Sequence, residues 1–226
     1  PQLKAFLNTF LKDNREGTLF GNIIRNRYIR DFDWTENAAG AEELGRYRKL
    51  SALFRKYGTD YGMDPTLLAA QGFQESRLDQ TVRSHVGAVG VMQLLPSTAE
   101  DKNVAIPNID ELEPNIEAGA KYMAFLEERY LSGPELDELN GSLLALASYN
   151  AGPRRIRRLR REAGERGYDP NLWFDNVEVI VAEQVGRETV QYVSNIFKYY
   201  LTYRWINTAD AERAAARRAT GMEDAP

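Results

Sequence analysis

Glu75 and Ser76 lie just ahead of a glycine-framed segment, Gly87-Ala88-Val89-Gly90-Val91-Met92-Gln93-Leu94-Leu95-Pro96. The arrangement offers one carboxyl at the end of an apolar stretch, then a loop able to press backbone and amide groups against an extended ligand. The glycine segment holds no second acid, and no Cys is present to make a thiolate metal site. Chemistry at this place therefore rests on a single proton-handling carboxyl, with neither metal nor cofactor implied. Taken alone, Glu-Ser is a common dipeptide and reads better as a helix end carrying a solvated acid.

The element that must carry the carboxyl opens at Asp64-Pro65, a capping acid followed by proline at the first helical position. It runs to about Ser76, and Leu68, Gln71, Gly72 and Glu75 share one face. A carboxyl among leucine and small residues loses hydration, which disfavours its charged form and raises its pKa, as a general acid requires. Residues 77–96 read as loop. Gly87 and Gly90 allow close approach or positive φ, while Met92 and Gln93 supply a soft wall and a two-sided amide.

Two further pieces lie far along the chain. Ala147-Ser148-Tyr149-Asn150-Ala151-Gly152 puts an aromatic and an amide at the end of an apolar helix. In Glu188-Thr189-Val190-Gln191-Tyr192-Val193, Glu188 and Tyr192 share a face at four-residue spacing. Aromatics with amides suit a sugar groove, with ring faces on pyranose C–H surfaces and amides on hydroxyl and acetamido groups. Singly, Tyr149 and Tyr192 read as core residues.

Around these pieces the pattern is helical throughout. Helices are predicted over about 42–61 (inner face Leu44, Tyr47, Leu50, Leu53, Phe54 and Tyr57), 65–76, from Pro96, 115–130, 139–149, an arginine-rich stretch after Pro153, and 187–205. Leu3, Phe6, Leu7, Phe10 and Leu11 stripe a short helix at the front, with a second ending near Tyr28. The segment after Asn207 is polar and expected to fray. No strand alternation or internal repeat is evident.

The 226 residues can bury a sizeable core, and 43% hydrophobic with 27% charged residues is a globular composition. A net charge of −4 gives no overall pull towards nucleic acid. No apolar run approaches the ~20 residues of a membrane span. The start at Pro1, without Met or a signal pattern, reads as a piece of a longer precursor.

In this order the four pieces resemble the soluble lytic transglycosylase (SLT) family, lysozyme-like enzymes that cleave bacterial peptidoglycan. The resemblance covers about 49–203 and is carried by Gln74-Glu75-Ser76, Ser84, Gly87-Ala88-x-Gly90-x-Met92-Gln93-Leu94-x-Pro96-x-Thr98-Ala99, Asn115-Ile116-x-Ala118-Gly119, Tyr149-Asn150-Ala151-Gly152, and Glu188-Thr189 with Tyr192-Val193. Gln80 and His85 stand where the family often has Pro, and Val91 where Leu is usual. None of these removes a group the chemistry needs, and His85, the only histidine, reads as a loop residue.

The resemblance implies a mainly α, goose-type lysozyme-like domain whose glycine loop lines a cleft. It implies Glu75 as the single acid/base cleaving MurNAc-β-1,4-GlcNAc bonds without water, giving 1,6-anhydroMurNAc ends. Ser84, Gln93 and Asn150 would hold hydroxyl or acetamido groups, Met92 and Tyr149 would wall the groove, and Glu188 and Tyr192 would line its far side. Ser76, Gly87 and Gly90 would support the site. Rival readings are a hydrolytic muramidase of the same fold, with Asp79, Asp101 or Glu188 as second acid, and a glycan-binding module that does not cut.

The opening segment, with Asp13-x-x-x-Gly17-Thr18-Leu19, is similar to the closing helices of periplasmic solute-binding domains, which precede the catalytic domain in the membrane-bound lytic transglycosylase F subgroup. The expected division is a solute-binding remnant (1–33), a linker (34–41), the catalytic domain (42–206) and a polar tail (207–226). Expected partners are glycan strands, with a peptide or amino-acid effector at the upstream domain and no nucleic acid. The expected location is the periplasm, at the outer membrane in the full-length protein. Arg154 to Arg161 read as the solvated side of a helix whose Ile156, Leu159 and Ala163 face inward; a basic rim beside the groove would attract peptidoglycan carboxylates.

Overall fold

A computed structural model of the chain describes residues 38–131 and 135–219. The front segment proposed as a solute-binding remnant and the last residues of the tail lie outside the described residues.

Helix α1 (Ala41–Tyr61) buries Tyr47, Leu50, Phe54 and Tyr57, the inner face expected from their spacing, with Leu44 and Leu53 packed at its margin. It stops at Gly62, whose φ of 69° is left-handed. Helix α2 (Pro65–Ser76) starts where Asp64 accepts hydrogen bonds from the N–H groups of Thr66 (2.7 Å) and Leu67 (3.3 Å). Eight of its twelve residues are buried, so it is the central helix of the bundle. A long loop and the single turn α3 (Pro96–Ala99) lead to α4 (Leu112–Leu126), which runs on as a π-helical turn to Leu131.

Helix α5 (Glu138–Ala151) is apolar nearly all round and ends at Gly152. Helix α6 (Pro153–Glu165) buries only Ile156, Leu159 and Ala163, leaving Arg154, Arg155, Arg157, Arg158 and Arg161 exposed as expected. Arg160 is the exception, donating to the carbonyls of Pro170 (2.7 Å) and Leu131 (3.1 Å).

Between α6 and the last helix, where the sequence predicts no helix, the chain forms a π-helical turn at Trp173–Val177, anchored by the fully buried Trp173, and α7 (Glu178–Gln184). Helix α8 (Arg187–Ala219) continues well beyond the expected end near Trp205. Its Ala-, Arg- and Glu-rich end favours helix intrinsically. Tertiary contacts add to this: Asn207 Nδ2 donates to the Tyr47 hydroxyl (2.8 Å), and Asp210 pairs with Arg48 (3.0 Å). The fraying expected directly after Asn207 is thus corrected as far as Ala219.

Two apolar clusters form. The larger joins α1, α2, α4, α5, α6, α7 and α8. The smaller gathers Val89, Leu94, Ala99, Val104, Ile109 and Ala118 beneath the glycine loop, and the half-buried Tyr122 and Tyr149 touch both. Among the described residues the only β features are isolated bridges, Arg83 with Val89 and Val89 with Leu94. No helix among them is long and apolar enough to cross a membrane.

Candidate active site

Glu75 occupies the last turn of α2, and the chain turns sharply behind it. Arg77 and Leu78 both take left-handed conformations (φ 54° and 61°), and their N–H groups close on the carbonyls of Phe73 (2.9 Å) and Gly72 (3.3 Å). Such φ values are uncommon for residues with a Cβ, so the surrounding contacts must hold the turn. Ser76 is one such contact. Its buried hydroxyl lies 3.0 Å from the Val91 carbonyl and 3.2 Å from that of Gly72, and it accepts from the Asp79 N–H (3.2 Å). The helix end is thereby fastened to the glycine loop.

The loop is braced by two amides. Asn115, fully buried on α4, accepts from the Met92 N–H (2.8 Å) and donates to the carbonyls of Val89 (2.8 Å) and Ile109 (3.0 Å). Gln80 accepts from the Val91 N–H (3.1 Å) and donates to the Ile109 carbonyl (2.9 Å). Gly90 sits between them at φ 76°, where a Cβ would come within 2.5 Å of Gln80 Oε1 and 2.6 Å of Asn115 Nδ2. Gln80 therefore ties the glycine loop to the segment before α4 through both ends of its amide. Its role and that of Asn115 were missed in the sequence. The available signal was a polar residue at Asn115 flanked by apolar ones within a helix.

The catalytic candidate meets residues distant in sequence. The Tyr192 hydroxyl donates to Glu75 Oε1 at 2.6 Å across the α2–α8 interface. Tyr149, on α5, donates its hydroxyl to the Met92 carbonyl (2.8 Å), and the Glu75 charge bears on it electrostatically. Burial raises the Glu75 pKa to about 7, against a smaller lowering by Tyr192. No other carboxyl contributes to that shift. Both tyrosines are pushed well above 10.0, chiefly by burial and then by Glu75, so they stay protonated donors.

The remaining expected residues are distributed unevenly. Ser84 Oγ accepts from the Ala88 N–H (2.9 Å) and closes the tip turn that contains Gly87, leaving its own proton to donate. Asn150 is exposed and accepts from Thr189 Oγ1 (2.8 Å), which ties α5 to α8. Glu188 is exposed on the first turn of α8, one turn before the buried Tyr192.

Two expectations change. The Met92 side chain has no exposed surface and packs on Gly119, where a Cβ would meet it at 2.5 Å. It fills the loop's underside instead of walling a groove, and only its backbone reaches the site residues. Gln93 directs both amide protons inward, to the carbonyls of Gly90 (2.8 Å) and Val82 (3.2 Å), so its nitrogen is occupied by the loop.

Two of the three candidate second acids are engaged within their own turns, while Glu188 stays exposed one turn from Tyr192. Asp79 is held by Thr81 and Asp101 by Asn103, and those hydrogen bonds lower both pKa values. Among the described residues no group of three or more His, Asp or Glu converges as a metal site.

The transglycosylase SLT domain model matches residues 52–172, more than half of the chain and including Glu75, the glycine loop and Tyr149. The chain belongs to the transglycosylase SLT family. It is 33% identical over 241 residues to membrane-bound lytic murein transglycosylase F 1 of Alkalilimnicola ehrlichii, covering 100% of this chain and 45% of that relative. It is 34% identical over 231 residues to membrane-bound lytic murein transglycosylase F of Marinobacter nauticus, covering 93% and 43%. The chain thus spans less than half the length of these curated relatives.

Among solved structures, an inactive mutant of lytic transglycosylase Slt from Pseudomonas aeruginosa superposes with a TM-score of 0.52 at 26% identity, over 69% of this chain and 24% of that one. The 70 kDa soluble lytic transglycosylase of Escherichia coli superposes with a TM-score of 0.55 at 24% identity, over 82% and 29%, a likeness of fold. The SLT domain of this chain is accordingly mainly α and lysozyme-like, as its motifs implied.

Proposed function

We propose that this chain is the catalytic part of a lytic transglycosylase that cleaves the MurNAc-β-1,4-GlcNAc bond of peptidoglycan, with Glu75 as its single acid and base. The observation that carries the reading is a lone carboxyl, shifted to about 7 by burial and hydrogen-bonded to Tyr192, with no second carboxyl acting on it. A group of that pKa is divided between acid and base near neutral pH, which suits one residue asked to perform both steps. Family membership and the names of the relatives support the same class of reaction.

In the proposed reaction, protonated Glu75 gives its proton to the glycosidic oxygen as the bond to C1 of the muramoyl sugar breaks. The 2-acetamido group of that sugar shares the positive charge at C1. The sugar's own 6-hydroxyl then bonds to C1 and passes its proton to the Glu75 carboxylate. The acid is restored, no water is consumed and the product carries a 1,6-anhydro bridge. Intramolecular attack replaces the second carboxylate that ordinary glycosidases hold at ~5–5.5 Å or ~6.5–9.5 Å.

Within this reading Ser84 and Asn150 retain groups that can meet sugar hydroxyls, and Tyr149 supplies an aromatic wall. The start of the catalytic domain near 42, the solute-binding remnant with its effector, and a periplasmic place at the outer membrane belong to the same proposal; the end expected at 206 falls inside α8, which stays packed on α1 beyond it. The membrane-bound, murein-directed names of the relatives support the location.

Digestion of purified sacculi in heavy-oxygen water tests it. The expected product is unlabelled and lighter by one water than a hydrolysed fragment. Glu75→Gln should reduce turnover by on the order of 10³-fold or more while sacculi are still bound. Labelled reducing ends would instead establish hydrolysis, and near-normal turnover in Glu75→Gln would remove the assignment.

A further inference from the structure

Gln71 lies one turn before Glu75 on α2 and is completely buried. Neither its amide nitrogen nor its amide oxygen has a hydrogen-bond partner, an unfavourable state for a primary amide inside a helical core. Residues four apart share a helix face, so Gln71 stands beside the place where Tyr192 crosses from α8 to reach Glu75. Burial and Glu75 dominate the rise in the Tyr192 pKa; the Gln71 amide opposes it, although its approach falls short of a hydrogen bond.

A phenolic oxygen both donates and accepts, and its O–H can turn to either of two in-plane directions. An amide N–H that reaches that oxygen can only donate to it. It therefore forces the phenolic proton towards the carboxyl, whereas an acceptor there would draw the proton away. We propose that Gln71 is a positioning residue: its amide closes on the Tyr192 oxygen, fixes the O–H on Glu75 Oε1, and so sets the proton affinity of that carboxyl.

The inference rests on the reading of Glu75 as the proton-transfer group. Tyr192 lowers the Glu75 pKa by donating to its charged form, so weakening that donation should raise it. In Gln71→Met, which preserves length and removes the amide, the Glu75 carboxyl should titrate roughly half a pH unit or more above wild type. The titration is followed by ¹³C NMR of labelled glutamate carboxyls, with Glu75 assigned by its absence in Glu75→Gln. The alkaline limb of turnover on sacculi should move by the same amount.

If Gln71→Met does not fold, Gln71→Asn withdraws the amide while keeping its polarity, and the same upward shift is expected. A Glu75 titration that superimposes on wild type in the folded variants overturns the proposal, even if their melting temperatures differ. A shifted titration with an unshifted turnover profile upholds the Gln71–Tyr192–Glu75 link and removes Glu75 from the chemistry, so the two ideas fail separately.

Discussion

A carboxyl lifted to about 7 is a catalytic convenience and a thermodynamic liability at once, and the liability is measurable. Folded Glu75 has a pKa of about 7, against the ordinary 4.5 expected in the unfolded chain. Below 4.5 both states are protonated and the shift has no effect on stability. Between 4.5 and 7 the folded state binds a proton that the unfolded state has released, so stability falls as pH rises. Above 7 the penalty is complete. Glu75→Gln keeps an oxygen for Tyr192 but cannot ionise, so the mutant should be more stable than wild type at pH 8, by up to about 3 kcal/mol. The difference should vanish near pH 4. Urea unfolding at several pH values measures it, and an equal difference at pH 4 and pH 8 would mean that the carboxyl is not desolvated. The carboxyl itself was legible in the sequence, because an acid sharing a helix face with leucine and glycine predicts burial. Its partner was only partly so: Tyr192 could be picked out as a groove residue, but nothing local reveals a hydrogen bond between positions 117 residues apart.

At the scale of elements, the glycine loop works as a rigid arm because buried side chains replace the ladder bonds it lacks. Asn115 makes three hydrogen bonds to three loop backbone groups. Asn115→Ala would leave the Met92 N–H and the Val89 carbonyl without these partners in an interior site, a loss of about 2–4 kcal/mol. Met92 is also the residue whose carbonyl holds Tyr149, so the loss should reach Tyr149. Thermal melting should show reduced stability, and limited proteolysis should show earlier cutting within 77–95. A variant as resistant as wild type would mean that the loop is held by other means. This is also where sequence reasoning placed groups correctly and their tasks less well. Glycines and amides announced a tight loop, but a Met92 side chain turned under it and a Gln93 nitrogen turned into it depend on packing against α4 and on loop carbonyls. Neither is encoded in a neighbouring residue.

Across the whole molecule, α8 ties the ends of the fold together. It carries Tyr192 to Glu75 and, three turns later, stacks Tyr203 on Tyr47 of α1 with centroids 4.0 Å apart and planes 4° from parallel. Phe73 of α2 meets the edges of Tyr199 and Tyr203 (4.7 and 6.1 Å), so one aromatic cluster joins α1, α2 and α8 close to the turn that carries Glu75. The inner faces of α1 and α2 were readable from helical spacing and caps. The extent of α8 was not, because its polar end gains its place from Tyr47 and Arg48, more than 150 residues upstream. Tyr203 separates the parts of this clamp. Its ring is fully buried, yet its hydroxyl has no hydrogen-bond partner. Tyr203→Ala should lose about 3–5 kcal/mol through a large cavity, lowering the melting temperature by roughly 10 °C. Tyr203→Phe keeps the ring and removes a buried, unpaired hydroxyl, so it should match or exceed wild type. Breaking the exposed Arg48–Asp210 pair should move melting by only about 2 °C or less. Calorimetry of the three variants compares these effects directly. A Tyr203→Phe variant as damaged as Tyr203→Ala would show that the clamp depends on a polar contact of the hydroxyl and not on stacked rings.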